Sequence, residues 1–125
     1  MYYREKLSNG LTVVCETIPY VRSVSIGFWV VCGSRDERDK EQGISHLLEH
    51  MSFKGTKNRS TRQIAETVDA VGGHMNAFTT KEYTCYYLKI LDHHLRLGLE
   101  LLADIAINPL LAGEELEKEK NVILE

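Results

Sequence analysis

The chain has 125 residues, a length that fits one ordinary domain and is too short for two. Hydrophobic residues make up 43% and charged residues 26%, which is typical of a globular protein and excludes a disordered or fibrous one. The formal net charge of −3 lacks the basic excess of a surface that binds nucleic acid or a membrane. No apolar run approaches the roughly 18–20 residues that cross a bilayer. Residues 1–9 lack the layout of a secretion signal, so the default expectation is a cytoplasmic location.

Turn signals and hydrophobic periodicity divide the first part of the chain into two strands and two helices. The strands are expected at Leu11–Thr17 and Ser23–Cys32, and the helices at Gly43–Phe53 and from an N-cap at Thr61 to Gly72-Gly73, with Ile64, Ala65, Val68 and Val71 facing inward. The second strand is almost entirely apolar, which predicts that it is largely buried. The charged segment 33–41 predicts a solvated loop.

The second part of the chain predicts a β-hairpin and two further helices. The hairpin arms are expected at His74–Thr79 and Tyr83–Ile90, the third helix at about Asp92–Ile107, and the fourth from Gly113, with apolar positions at Leu116, Val122 and Ile123. The fourth helix stops at Glu125 without the Gly, Asn or Pro that usually ends a helix. We therefore expect residues 1–125 to be the first part of a longer protein, truncated at the C-terminus.

The three cysteines are Cys15, Cys32 and Cys85, which are far apart and have apolar or β-forming neighbours. This setting predicts three buried, reduced thiols. The chain has no C-x-x-C spacing, so the cysteines do not indicate a zinc site or a redox motif.

Residues 46–50 form an H-x-x-E-H sequence on the first predicted helix. At about 100° per residue, His46, Glu49 and His50 share one face. The other face is apolar and consists of Ile44, Leu47, Leu48 and Met51. Two histidines one turn apart can offer ring nitrogens to one metal ion, and the glutamate then lies where it can accept a proton from a water molecule at the metal. The pattern is the inverted zinc-protease motif, but chance occurrence and a structural zinc site are alternatives.

An ordered set of motifs surrounds this sequence. It consists of SNGLTVV, a second strand followed by GSRDE, GISHLLEHMSFKGT, GGHMNAFTTKEYTCYY and LEKEKNVILE. Together they resemble the N-terminal part of a pitrilysin/insulinase-family zinc peptidase, nearest to the bacterial processing-protease and mitochondrial processing-peptidase β-subunit type. The resemblance implies an α+β fold in which a mixed or antiparallel sheet packs against helices, with residues 1–125 as the N-terminal portion of a catalytic domain.

The resemblance also implies the site residues. It makes Zn²⁺ the cofactor, His46 and His50 its ligands, and Glu49 the general base. Glu119 matches a supporting acidic residue that stands seven positions before the family's third ligand, a glutamate. That ligand is expected at position 126, one beyond the chain. Glu125 would lie about 100° around the helix from it and is not assigned.

The hairpin is the second element to which the resemblance assigns a role. In relatives, the strand that matches Asn76, Ala77 and Phe78 is an edge strand that pairs with an extended substrate, a case of β-augmentation. The alternative is an ordinary strand with Phe78 in the core. Family members enclose the substrate between two halves, so the expected partners are a peptide substrate and the second half of the same chain or a partner subunit. The chain alone is expected to be weakly active or inactive.

The function predicted from these residues is that of a zinc endopeptidase acting on short or unfolded polypeptides, with presequence processing as one candidate role. A non-catalytic, peptide-binding subunit of a processing peptidase is one alternative, although the intact motif argues against it. A metal-dependent lyase resembling S-ribosylhomocysteine lyase, which has a cysteine as third ligand, is the other. The peptide-binding hairpin and Glu119 favour the peptidase over the lyase.

Overall fold

A computed structural model describes residues 1–124, apart from the side chains of Glu41 and of residues 122–124. This part of the chain contains five strands and four α-helices. The strands are β1 (Tyr2–Lys6), β2 (Thr12–Glu16), β3 (Ser23–Val30), β4 (His74–Thr79) and β5 (Thr84–Leu91). The helices are α1 (Ile44–Ser52), α2 (Thr61–Ala70), α3 (Leu95–Ile107) and α4 (Gly113–Leu124). Short 3-10 helices lie at Ser34–Asp36, Asp39–Glu41 and Asp92–His94. The predicted α+β class is confirmed.

Strands β1 and β2 form a separate antiparallel hairpin, and the other three form an antiparallel sheet in the order β3-β5-β4. Gly10 has a φ of +93° in the first turn, a conformation that glycine adopts without strain. The sequence did not predict β1. All five of its residues are exposed, so it lacks the alternation of buried and exposed positions that identifies a strand.

The core lies between the three-stranded sheet and helices α2 and α3. Its buried residues are Ile64, Val68, Tyr86, Leu88, Ile90, Leu101, Leu102 and Ile105. Gly98 allows α3 to lie close to the sheet, since a Cβ there would be 3.0 Å from Cδ2 of Leu88 and 3.1 Å from Cδ1 of Ile26. Helix α1 lies along β4 and packs against α4. The edge strand and the fourth helix therefore flank the helix that carries the H-x-x-E-H sequence.

The burial of β3 and of two cysteines differs from the prediction. Half-buried and exposed residues alternate along most of β3, and Trp29 is 57% exposed. The apolar composition predicted a largely buried strand, but in the described part of the chain helices pack on one face of this sheet. Cys85, on the central strand, is buried, and burial raises its pKa. Cys15 and Cys32 are exposed, so the prediction was wrong for them, although all three thiols are free as expected.

Helix α2 begins one residue earlier than predicted. Its N-cap is Ser60 instead of Thr61. The Ser60 side chain accepts the Gln63 N–H, and the Gln63 side chain accepts the Ser60 N–H. This reciprocal pair is a capping box, which satisfies two backbone donors at the helix start. Of the predicted inner positions, Ile64 and Val68 are buried, Val71 packs against the core, and Ala65 is exposed.

The apolar side of α1 is only partly buried. Met51 is fully buried, but Ile44 is 42% exposed and Leu48 is 44% exposed. Ser45 and Ser52 are buried instead, and Ser52 Oγ donates to the carbonyl of Leu48. The helix therefore contacts its neighbours along a side rotated from the one that the apolar pattern predicts.

Helix α4 begins at Gly113, as predicted. The predicted apolar side chains of Val122 and Ile123 lie outside the described residues, as does Glu125. Within residues 1–124, each helix is too short or too polar to cross a lipid bilayer.

Asp104 joins α3 to the segment between α1 and α2. Its buried carboxylate accepts hydrogen bonds from Thr56 Oγ1, Asn58 Nδ2 (2.7 Å), Arg59 Nη1 (2.9 Å) and Asn108 Nδ2 (3.2 Å). Burial by itself would raise the pKa of Asp104, but the hydrogen bonds outweigh burial and lower it. The network thus holds the segment between α1 and α2 against helix α3.

We expect Asp104→Ala to lower the free energy of unfolding by about 3–5 kcal/mol, because it leaves Arg59 and Asn58 without their buried acceptor. Because the folded-state pKa is lowered, the contribution of Asp104 is complete above its unfolded-state pKa of about 3.9 and is lost as the pH falls through the folded-state value. Urea denaturation at neutral and acidic pH measures both effects. Asp69→Ala, at the exposed end of α2, is the control. Equal stability of the two variants would contradict the prediction.

Candidate metal centre

Helix α1 places the three polar residues of the H-x-x-E-H sequence together. The Nε2 atoms of His46 and His50 lie 2.9 Å apart, and the rings meet edge to face. The potential ligand atoms of His46, Glu49 and His50 all lie within 4.8 Å of one another. His46 is exposed and the other two are half-buried. Two imidazole nitrogens and a carboxylate oxygen thus point to one region that solvent can reach.

Glu119, on α4, contacts the second histidine. His50 Nδ1 lies 2.7 Å from Glu119 Oε2, and Lys54 Nζ lies 3.2 Å from Glu119 Oε1. The hydrogen bond from His50 lowers the pKa of Glu119, burial opposes this, and Lys54 adds to the lowering. Because a carboxylate only accepts, Nδ1 of His50 carries the proton. The neutral tautomer then has the lone pair on Nε2, as a metal ligand requires.

Glu49 is held by a residue that the sequence did not single out. The hydroxyl of Thr79, at the end of β4, donates a hydrogen bond to Glu49 Oε2. The two residues are 30 positions apart, and only the packing of α1 along β4 brings them together. The bond fixes one oxygen of the carboxylate.

A cleft of about 470 Å³ lies between α1 and β4. Its lining residues are Ser34, Glu37, Gly43, Ser45, His46, Glu49, Ala77, Phe78 and Thr79. Among the residues predicted to bind substrate, Ala77 and Phe78 line the cleft and Asn76 does not. Phe78 is 38% exposed and lies beside Trp29, with ring centroids 5.9 Å apart, so it is outside the buried core.

Strand β4 is at the edge of the sheet and leaves part of its backbone unpaired with β5. The N–H of Thr80 donates to the carbonyl of Tyr83, so these two residues form a hydrogen-bonded pair. Because hydrogen-bonded and non-hydrogen-bonded pairs alternate along an antiparallel ladder, Ala77 is in a non-hydrogen-bonded pair, and its backbone N–H and C=O point away from β5. In agreement, the Ala77 N–H is bonded to the Asn76 side chain, at 2.8 Å. An extended peptide could replace that local bond and pair with Ala77 at the rim of the cleft.

Glu37 is the second residue that the sequence did not single out. Its Oε1 accepts the N–H of Gly43 at 2.9 Å, and its Oε2 accepts the N–H of Ser45 at 2.7 Å. These two bonds lower the pKa of Glu37, and the bond from Ser45 has the larger effect. Burial alone would raise this pKa. The segment 33–41 was predicted to be a solvated loop, but its Gly33 is buried and Glu37 half-buried. Glu37 is too far from the helix in sequence for the usual capping patterns to reveal it.

The residues present fit a metal ion of the type that takes nitrogen and oxygen ligands. His46 and His50 supply two nitrogens, and the hydrogen bond that His50 Nδ1 donates to Glu119 orients the second ring. Glu49 is close enough to act on a water molecule at such an ion. Position 126, where the third ligand is expected, and Glu125 lie outside the described residues.

Comparisons with known proteins point to one family. Residues 12–125 match the family model described as "Insulinase (Peptidase family M16)". The chain is 52% identical over 125 residues to the uncharacterized zinc protease YmxG of Bacillus subtilis, and 49% identical over 122 residues to an uncharacterized zinc protease of Mycobacterium leprae. These alignments cover 100% and 98% of the chain but only 31% and 27% of the relatives.

A solved structure shows the same fold. The crystal structure of a protease from Helicobacter pylori superposes with a TM-score of 0.92 at 32% sequence identity. The superposition covers 98% of this chain and 30% of the other. The chain therefore spans about a third of the length of the proteins that it matches.

Proposed function

The chain belongs to the insulinase family, peptidase family M16, and from this premise we propose that it is the N-terminal portion of a zinc-dependent endopeptidase. One observation carries the proposal: the Nε2 atoms of His46 and His50 converge at 2.9 Å beside the carboxylate of Glu49. Relatives named zinc proteases support zinc as the metal. The donor set agrees, because zinc is commonly bound by imidazole nitrogen and carboxylate oxygen.

Each residue of the site has a separate task in the proposed reaction. When bound, zinc polarises the scissile carbonyl and lowers the pKa of a water molecule to about 7. His46 and His50 hold the metal, and Glu119 keeps the proton of His50 on Nδ1. Glu49 accepts the proton of the attacking water and passes it to the leaving amine. Thr79 orients Glu49 for this transfer.

The edge strand β4 aligns the substrate. The backbone of Ala77 lies at the rim of the cleft that contains His46 and Glu49, so a peptide paired with β4 would pass the metal site. Backbone pairing demands an extended chain but little particular sequence, which favours short or unfolded polypeptides as substrates. Presequence processing is one such role. The second half of the same protein or a partner subunit would enclose the peptide.

The first test is the zinc content of the protein expressed to its natural stop codon. We expect one zinc per chain by mass spectrometry of the metal, together with cleavage of an unfolded protein such as β-casein. Removal of zinc with a chelator should stop cleavage, and adding zinc back should restore it. A protein without zinc would contradict the proposal and favour the non-catalytic, peptide-binding subunit. Membership of a peptidase family speaks against the lyase.

A further inference from the structure

We propose that Glu37 is a positioning residue that holds His46 in place, by fixing the first turn of α1 to the turn of the β4–β5 hairpin. The inference rests on the proposed function, in which His46 is a metal ligand. Among the described hydrogen bonds, those of Glu37 go to the backbone N–H groups of Gly43 and Ser45. Glu37 therefore acts through the backbone just before the first ligand.

The start of α1 lacks a cap of its own. The N-cap residue is Gly43, which has a φ of +87° and no side chain that could accept a backbone N–H. The first N–H groups of a helix have no partner within the helix. Both oxygens of Glu37 satisfy such groups, those of Gly43 and Ser45. Ser45 is buried and directly precedes His46.

Glu37 is itself held by the hairpin. The N–H of Ser34 donates to the carbonyl of Thr80 at 3.1 Å, and the N–H of Arg35 donates to the carbonyl of Lys81 at 2.9 Å. Gly33 makes this approach possible, because a Cβ at that position would lie 2.2 Å from the carbonyl oxygen of Thr80. The carboxylate therefore comes from a segment that is bonded to the turn immediately after β4.

The two histidines are held in different ways. The ring of His50 lies one turn beyond His46, further into α1, and is hydrogen-bonded to the buried Glu119. The ring of His46 is exposed and lies in the first turn, where helices fray most readily. Loss of Glu37 would leave two N–H groups unpaired and let this turn open, which would move Nε2 of His46 away from Nε2 of His50. Through the same contacts, Glu37 also sets the distance between His46 and the edge strand.

The test compares Glu37→Ala with Glu82→Ala in the full-length protein. Glu82 is an exposed glutamate on the hairpin turn that pairs with Arg35, so its loss disturbs the same region without touching α1. In the metal-free protein, we expect Glu37→Ala to speed amide hydrogen exchange of residues 43–47 by about 10-fold or more. In the loaded protein, we expect the zinc dissociation constant, measured against a competing chelator, to rise about 10–100-fold. Glu82→Ala should change neither quantity.

A comparison of Glu37→Gln with Glu37→Ala distinguishes a positioning role of Glu37 from a general destabilisation of the fold. Glu37→Gln keeps one acceptor oxygen and should fall between wild type and Glu37→Ala in both measurements. At saturating zinc, Glu37→Ala should lower kcat more than it raises KM, since peptide pairing with β4 is retained. Unchanged exchange at residues 43–47, or unchanged zinc affinity, would overturn the inference. A wild-type protein without zinc would contradict the proposed function, while the exchange measurement would still decide whether Glu37 holds the first turn.

Discussion

Replacing Glu49 with Gln is expected to lower kcat/KM for peptide hydrolysis by about 10²–10⁴-fold or more, with zinc content unchanged. Gln has the size of Glu and can still accept the hydrogen bond from Thr79, so the geometry of the cleft is kept. It cannot take a proton from water. In the proposed site, Glu49→Gln therefore removes the general base and leaves both histidine ligands in place.

The measurement pairs initial rates of peptide cleavage with zinc content per chain. Glu66→Gln is the matched control, because Glu66 is exposed on α2 and pairs only with the exposed Arg62 in the described contacts. It should keep the wild-type rate and one zinc per chain. If Glu49→Gln also lost zinc, Glu49 would be a ligand and its assignment as base would be wrong. A wild-type rate would exclude any role for Glu49 in proton transfer.

The sequence predicted those parts of the fold that local patterns determine. The helix at 44–52, the hairpin and the end of α3 before Pro109 follow from apolar periodicity and from turn or breaker residues nearby. Burial was predicted less well, as the exposed Trp29 on β3 shows, because burial depends on which face of the sheet packs against the helices. That arrangement is set by contacts between distant segments, which a window of neighbouring residues does not contain.

The same distinction separates the site residues. His46, Glu49 and His50 share one helical face, so their convergence follows from spacing alone. Thr79 and Glu37 came only from the structure, because each acts on α1 from a different element. The residues proposed to do chemistry are thus readable as a motif on one helix, whereas Thr79 and Glu37, which contact that helix from other segments, are not.

Replacing His50 with Ala is expected to reduce zinc binding to an unmeasurable level and to abolish cleavage, because it removes one of two imidazole ligands from α1. Glu119→Gln should have a smaller effect, about a 10–100-fold weaker zinc affinity, because the amide oxygen still accepts from His50 Nδ1 but no longer carries the charge. The order of the two effects follows from the proposed site, in which His50 would hold the metal through Nε2 while Glu119 contacts the other ring nitrogen, Nδ1.

The control for both variants is His74→Ala, which removes an exposed histidine at the start of β4. Zinc content per chain and zinc affinity, the latter by chelator competition, are measured for all three variants. Urea denaturation of the metal-free forms shows whether each variant still folds. Full zinc binding by His50→Ala would exclude the proposed site. A loss of zinc in Glu119→Gln as complete as in His50→Ala would mean that the Glu119 charge is needed to hold the metal and not only to orient His50. In the proposed site the intermediate result is expected, because Glu119 contacts Nδ1 of His50 and not the nitrogen that would hold the metal.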